Sequence, residues 1–219
     1  MPKIIVFLGP SLDLESAEKI LTAEYRPPAK RGDLITAARE GAEIIGLIDG
    51  VFHQESAVAH REILAALKDG VQVVGSSSMG ALRAAEMDTL GMVGIGEIYR
   101  MYKSGELESD DEVALVFDPV SGLSLSEPLI NIRFTLLQAC EAGIINAAAH
   151  DVLLASARSL FYPKRTYRAI VSGSGDAVDA ATREWFLAWV DTNACDQKRK
   201  DAVAALEYIR NIGNGKTKN

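Results

Sequence analysis

Three times in its N-terminal part the chain repeats one pattern: a short apolar run, a turn rich in Gly, Pro, Asp or Ser, then a helical periodicity. The copies are KIIVFLGPSLDLESAEKIL, AEIIGLIDGVFHQESAVAHREILAALKDG and VQVVGSSSMGALRAAEM. Apolar runs without polar alternation suit strands buried on both faces. Strands alternating with helices require right-handed crossovers between parallel neighbours. The pattern therefore predicts an α/β fold: a parallel sheet of Rossmann-like strand–turn–helix units, with strands at Lys3–Leu8, Glu43–Ile48 and Gln72–Gly75. A helix over Asp33–Arg39, closed by Gly41, falls between the first two strands.

The second half changes style. GIGEIYRMYKSGEL reads as a helix stopped by Gly105, and DDEVALVFDPVSGLSLSEP as a hairpin with alternation at Leu123 and Leu125. SEPLINIRFTLLQACEAG predicts a helix with Ser126 at its cap, Pro128 in its first turn and Gly143 at its end. Helices follow at Ala147–Leu160, Val178–Thr192 and Gln197–Ile212. No linker separates independent parts. The expectation is one α/β domain over 1–219 whose C-terminal half, with helices over about 161–212, is mainly helical.

At 48% hydrophobic residues and a net charge of −7, the chain has enough apolar content for a core and a field that repels phosphate, so extended nucleic-acid binding is disfavoured. No apolar run approaches the ~18 residues of a membrane span. The start reads as a first strand rather than a secretory signal, and the expected location is cytoplasmic. Cys140 and Cys195 lack partners at metal-ligand spacing and read as buried thiols, and with His53, His60 and His150 they compose no structural zinc pattern. GMVGIG has the spacing G-x-x-G-x-G rather than that of a dinucleotide loop, and there is no Walker lysine. Neither a cofactor nor a metal is expected.

In a parallel sheet the functional crevice lies beyond the carboxyl ends of the strands. That topology gathers Ser11, the Asp49–Gln54 turn and Ser76–Ser78 along one edge. Ser76-Ser77-Ser78-Met79-Gly80 sits on a strand-to-helix turn, the context of a nucleophile elbow. Ser78 takes the nucleophile position, and the Met79 and Gly80 amides face developing negative charge. The competing reading is a helix cap, for which one serine suffices. Asp49, His53 and His60 are the candidate groups to activate water or a serine, with Asp49 able to set the imidazole tautomer of His53, and Ser11, Ser76, Ser77 and Gln54 are candidate substrate contacts. The spacing of His60, Ile63, Leu64 and Leu67 puts His60 on the helix face that packs on the sheet. Arg83 and Glu86 form an i,i+3 pair, and Arg83 is placed to reach back to an anion at the serine turn. Arg26, Lys30 and Arg31, around Pro27-Pro28, make a local basic loop suited to an anionic tail or a partner surface.

Taken in order, GPSL, PPAKRGDL, IIGLIDGVFHQESAVAHREIL, GSSSMGALRAAEM and SEPLINIR resemble the TfuA family, named for trifolitoxin biosynthesis, over about 9–160. The resemblance implies work beside a YcaO enzyme, which uses ATP to activate a backbone amide, in installing a thioamide in a ribosomally made peptide (RiPP biosynthesis) or a protein. It further implies sulfide release from the C-terminal thiocarboxylate of a ThiS-like sulfur carrier. Three readings stay open. One is a thiocarboxylate hydrolase that also docks YcaO. The second is a non-catalytic partner that holds a peptide or carrier tail. The third is an unrelated hydrolase of small esters. Whether a serine or an activated water attacks also stays open.

Overall fold

The computed structural model describes residues 2–52, 56–118 and 124–215. His53, Gln54 and the Leu123 part of the expected hairpin lie outside the described residues. The contacts divide the chain into two compact units, 1–110 with 198–219, and 111–197.

The first unit is the α/β part. Its five strands are β1 (Ile4–Phe7), β2 (Glu24–Arg26), β3 (Ile44–Leu47), β4 (Gln72–Ser76) and β5 (Val93–Ile95). All pair in parallel, in the order β2-β1-β3-β4-β5. The helices are α1 (Leu14–Ile20), α2 (Asp33–Arg39), α3 (His60–Lys68), α4 (Met79–Met87) and α5 (Glu97–Ser104), joined from Lys198 onward by α10 (Gln197–Gly213).

The period-two alternation of strand side chains divides the core into two layers. Ile5, Phe7, Ile45, Leu47 and Val73 pack with Leu34, Ala37, Ile63, Ala66 and Ala84 of α2, α3 and α4. Val6, Leu8, Ile44, Ile48 and Val74 pack with Ala17 of α1 and with Ala202, Ala205, Leu206 and Ile209 of α10. Because β1 leads outward to β2 while β3 leads the other way to β4, the loops after β1 and β3 leave toward opposite faces. The carboxyl end between these two strands is the topological switch point of this strand order.

Two strands differ from the sequence reading. Part of the expected basic loop is edge strand β2, where Arg26 is ion-paired with Glu24 and Glu40, so it does not join Lys30 and Arg31. GMVGIG supplies the opposite edge strand, β5. Both strands are three residues long, too short for their periodicity to stand out.

The second unit is helical: α6 (Leu129–Glu141), α7 (Ala147–Ser159), α8 (Tyr167–Gly173) and α9 (Ala180–Asn193). Ile132 and Leu136 of α6, Leu153 of α7, Ile170 of α8 and Phe186 of α9 share one apolar core. The start of the unit is held by two arginines. Arg133 makes a bidentate pair with Glu112, at 2.8 and 2.6 Å. Buried Arg165 donates to the Ala157 and Asp111 carbonyls and to the Asp111 carboxylate. SEPLINIR is largely scaffolding: Ser126 accepts from the Val116 amide at 2.9 Å, and Asn131 donates to Asp196 at 3.0 Å. Of the expected hairpin, one antiparallel bridge joins Phe117 and Ser124.

Candidate functional site

Asp49 follows β3 at the switch point, and its carboxylate is spent on the loop after β1. One oxygen accepts from the amides of Gly9 at 2.9 Å and Ser11 at 3.1 Å. The other accepts from the Ser11 hydroxyl at 2.7 Å. Ser77 Oγ lies 2.9 Å from Ser11 Oγ and 2.9 Å from the Lys198 carbonyl oxygen, the two acceptors for its single hydrogen. Lys198 Nζ lies 4.0 Å from the second Asp49 oxygen. Ser11, Asp49, Ser77 and Lys198 are each at most 2% exposed. The result is a closed chain of polar groups, Ser77 to Ser11 to Asp49, with a lysine ammonium beside the carboxylate.

The serine turn is tight for a backbone reason. A Cβ on Gly80 would lie 1.7 Å from the Leu47 carbonyl oxygen, and one on Gly75 would lie 2.2 Å from the Gly80 oxygen. These two glycines let α4 fold directly back onto the sheet. The chain between them passes through a left-handed residue, Ser77, at φ +64°. For a serine this conformation costs of order 1 kcal/mol or more and persists only where its surroundings hold it. The three hydroxyls therefore have separate tasks. Ser76 donates toward the carbonyls of Ile95 and Asp201, at 2.8 and 3.0 Å. Ser77 joins the buried chain. Ser78 stands at the N-cap of α4, yet its side chain makes no capping hydrogen bond, so the capping explanation of the serines does not describe this turn.

Beside this closed cluster lies an open cleft of about 490 Å³, whose lining includes Arg31, His60, Met79, Leu82, Arg83 and Glu86. Met79, Leu82, Arg83 and Glu86 are one face of α4. Arg83 Nε donates to the Val58 carbonyl at 3.0 Å, and its Nη1 to Glu86 at 2.6 Å. The same Glu86 oxygen meets His60 Nε2 at 2.8 Å.

His60 departs from the expected packing position: its side chain is 51% exposed. The buried arc of α3 runs through Glu62, Ile63 and Ala66, and His60, the first residue of the helix, falls outside it. Glu62 is turned inward to accept from the amides of Ala59 and Gly32, at 2.7 and 2.8 Å. Arg31 lines the cleft, whereas Lys30 is exposed and is not part of its lining.

The structure thus brings Ser11, Asp49 and Ser77 into contact, with Ser76 and Ser78 adjacent, and collects Arg31 and Arg83 in the neighbouring cleft. Two contributors went unread in the sequence, Lys198 and Asp201 of α10. Asp201 accepts from the Ile98 amide at 2.8 Å, at the start of α5. The signal was present, because 198 and 201 continue the stripe of Ala202, Ala205, Leu206 and Ile209. Charged residues on the apolar face of a helix are out of place unless something buried meets them.

Strand order, two helical layers and a polar site at the carboxyl edge define a doubly wound parallel α/β protein. The chain belongs to the TfuA-like protein family, whose model matches residues 49–166. No curated protein matches it. Membership associates the chain broadly with thioamide and trifolitoxin-type biosynthesis, in a family linked to YcaO proteins. Among the described residues no helix is long and apolar enough to cross a membrane.

Proposed function

We propose that this protein releases sulfide from the C-terminal thiocarboxylate of a small ThiS-like carrier and assists a YcaO enzyme in peptide-backbone thioamidation. One arrangement supports the reading: an open cleft holding Arg31 and Arg83 abuts the first residue of α4, Met79, directly after the serine turn. A thiocarboxylate is an anion at the end of a slender tail. The two guanidiniums suit that anion, and the Met79 amide at the start of α4 suits the oxyanion that develops when its acyl carbon is attacked, whereas the Gly80 amide donates to the Ile48 carbonyl at 3.4 Å. Ser78, at the helix cap, is the candidate group beside the reacting carbon. Asp49 acts through Ser11 and Ser77 to hold the turn in place. His53 and Gln54 remain candidates on sequence grounds, and Lys30, exposed outside the cleft lining, has only a peripheral part in carrier docking.

Burial of all three serines favours a second reading, in which the protein holds a tail for YcaO without cleaving it. Purified protein incubated with thiocarboxylated carrier in the absence of YcaO separates the two. Sulfide release is expected. Carrier binding with no sulfide formed would establish the holding role instead.

A further inference from the structure

We propose that His60 is the general base of the cleft and that Glu86, clamped by Arg83, is its positioning residue; this rests on the hydrolytic reading above. A carboxylate only accepts hydrogen bonds, so the His60 nitrogen 2.8 Å from Glu86, Nε2, carries the hydrogen. In the neutral ring Nδ1 is then the basic nitrogen. Glu86 is itself fixed, because Arg83 donates to the same oxygen at 2.6 Å while anchored to the Val58 carbonyl at 3.0 Å. Histidine, carboxylate and guanidinium therefore form an ordered series on the wall of an accessible cleft. Among the described residues, the charged side chains lining the cleft with it are Arg31, Arg83, Glu86, Glu108 and Asp110. Asp49 is no rival for this role: at 2% exposure it already accepts three hydrogen bonds and lies beside Lys198.

The step balances without a further reactant. Water oxygen bonds to the acyl carbon of the bound thiocarboxylate while its proton passes to Nδ1. The tetrahedral intermediate collapses, the C–S bond breaks with its electron pair on sulfur, and the Nδ1 proton goes to that sulfur. Thiocarboxylate and water become carboxylic acid and hydrosulfide, and the acid gives its proton to solvent.

The test is sulfide release from thiocarboxylated carrier by the full chain and by His60→Ala, His60→Gln and Glu86→Gln, with and without added imidazole. Loss of a general base is expected to slow release by about 10²–10⁴-fold. Imidazole in solution should restore part of the His60→Ala rate, because the cleft is open, and should not restore Glu86→Gln, whose histidine is present but unaligned. Retention of the parental rate within about threefold by His60→Ala would overturn the proposal. So would a loss that imidazole leaves untouched while carrier affinity falls in parallel, which would mark His60 as a binding residue. Absence of release by the unsubstituted protein would remove the hydrolytic reading and this inference with it.

Discussion

Two polar clusters lie at the same edge of the sheet and differ in almost every physical respect. The Ser77–Ser11–Asp49–Lys198 group is sealed, and its carboxylate is saturated by donors. The Arg31–His60–Arg83–Glu86 group lines an open cleft and keeps its imidazole half in solvent. In this fold class the switch point is the usual ligand crevice. Here the protein's own aspartate fills it, and the accessible space lies toward α3 and α4. The contrast separates holding from reacting: buried, satisfied polar groups specify a loop geometry, whereas exposed ones can still exchange partners and protons.

The contrast breaks first at Asp49. Asp49→Ala strands two amides and a hydroxyl and takes the carboxylate away from buried Lys198. We expect a loss of about 3–5 kcal/mol, against less than about 0.5 for His60→Ala. Urea unfolding midpoints compare them. Equal stability of the two variants would mean that the sealed cluster is not structural.

A smaller effect tests the ion pair inside that cluster. Lys198→Met and Asp49→Asn are each expected to destabilise, but the double variant should recover about 1–2 kcal/mol of the summed loss, since each single change removes the opposite charge from beside a buried ion. Strict additivity in the denaturation data would deny coupling across the 4.0 Å separation.

Ser77 sharpens the comparison further. Ser77→Ala gives up a buried hydroxyl while keeping the left-handed strain at φ +64°. Ser77→Gly gives up the same hydroxyl but adopts that φ freely. The glycine variant should therefore be the more stable of the two by about 1 kcal/mol, read from thermal unfolding. The reverse order would show that the turn is unstrained.

The smallest effects belong to the rim of the open cluster. Arg31→Glu should weaken carrier binding by about tenfold or less and flatten its salt dependence, because screened attraction at a solvated site is modest. Lys30→Glu, outside the cleft, should stay within about twofold. Titrations of carrier across a salt series distinguish the two. A larger effect at Lys30 would move the docking surface away from the cleft.

Strands β1, β3 and β4 were legible because buried parallel strands write continuous β-branched runs into a chain. The glycine stops of α2, α5 and α6 were legible because left-handed closure selects Gly, seen here at Gly41, Gly105 and Gly143. Asp49 and the serines could be placed at one edge because parallel strands all end at the same edge of their sheet. His60 was misread because period alone does not say where the buried arc is centred: the set 60, 63, 64, 67 and the buried residues 62, 63 and 66 overlap at Ile63 and lie side by side around the helix. The Asp49-Gly50 turn does not announce a buried carboxylate, since a turn residue is ordinarily solvated. Here the loop after β1 closes over it.

By itself, then, the sequence determined the local alternation of strand, turn and helix, the chemical character of each turn, and the family. All of these are written in short-range patterns of apolar, glycine and polar residues. The tertiary structure alone decided which turn groups are spent on one another and which stay available. That choice depends on α10, whose Lys198 reaches the serine turn from 121 positions along the chain. No local pattern encodes such a contact, because it exists only once the sheet has buried the apolar stripe that carries it.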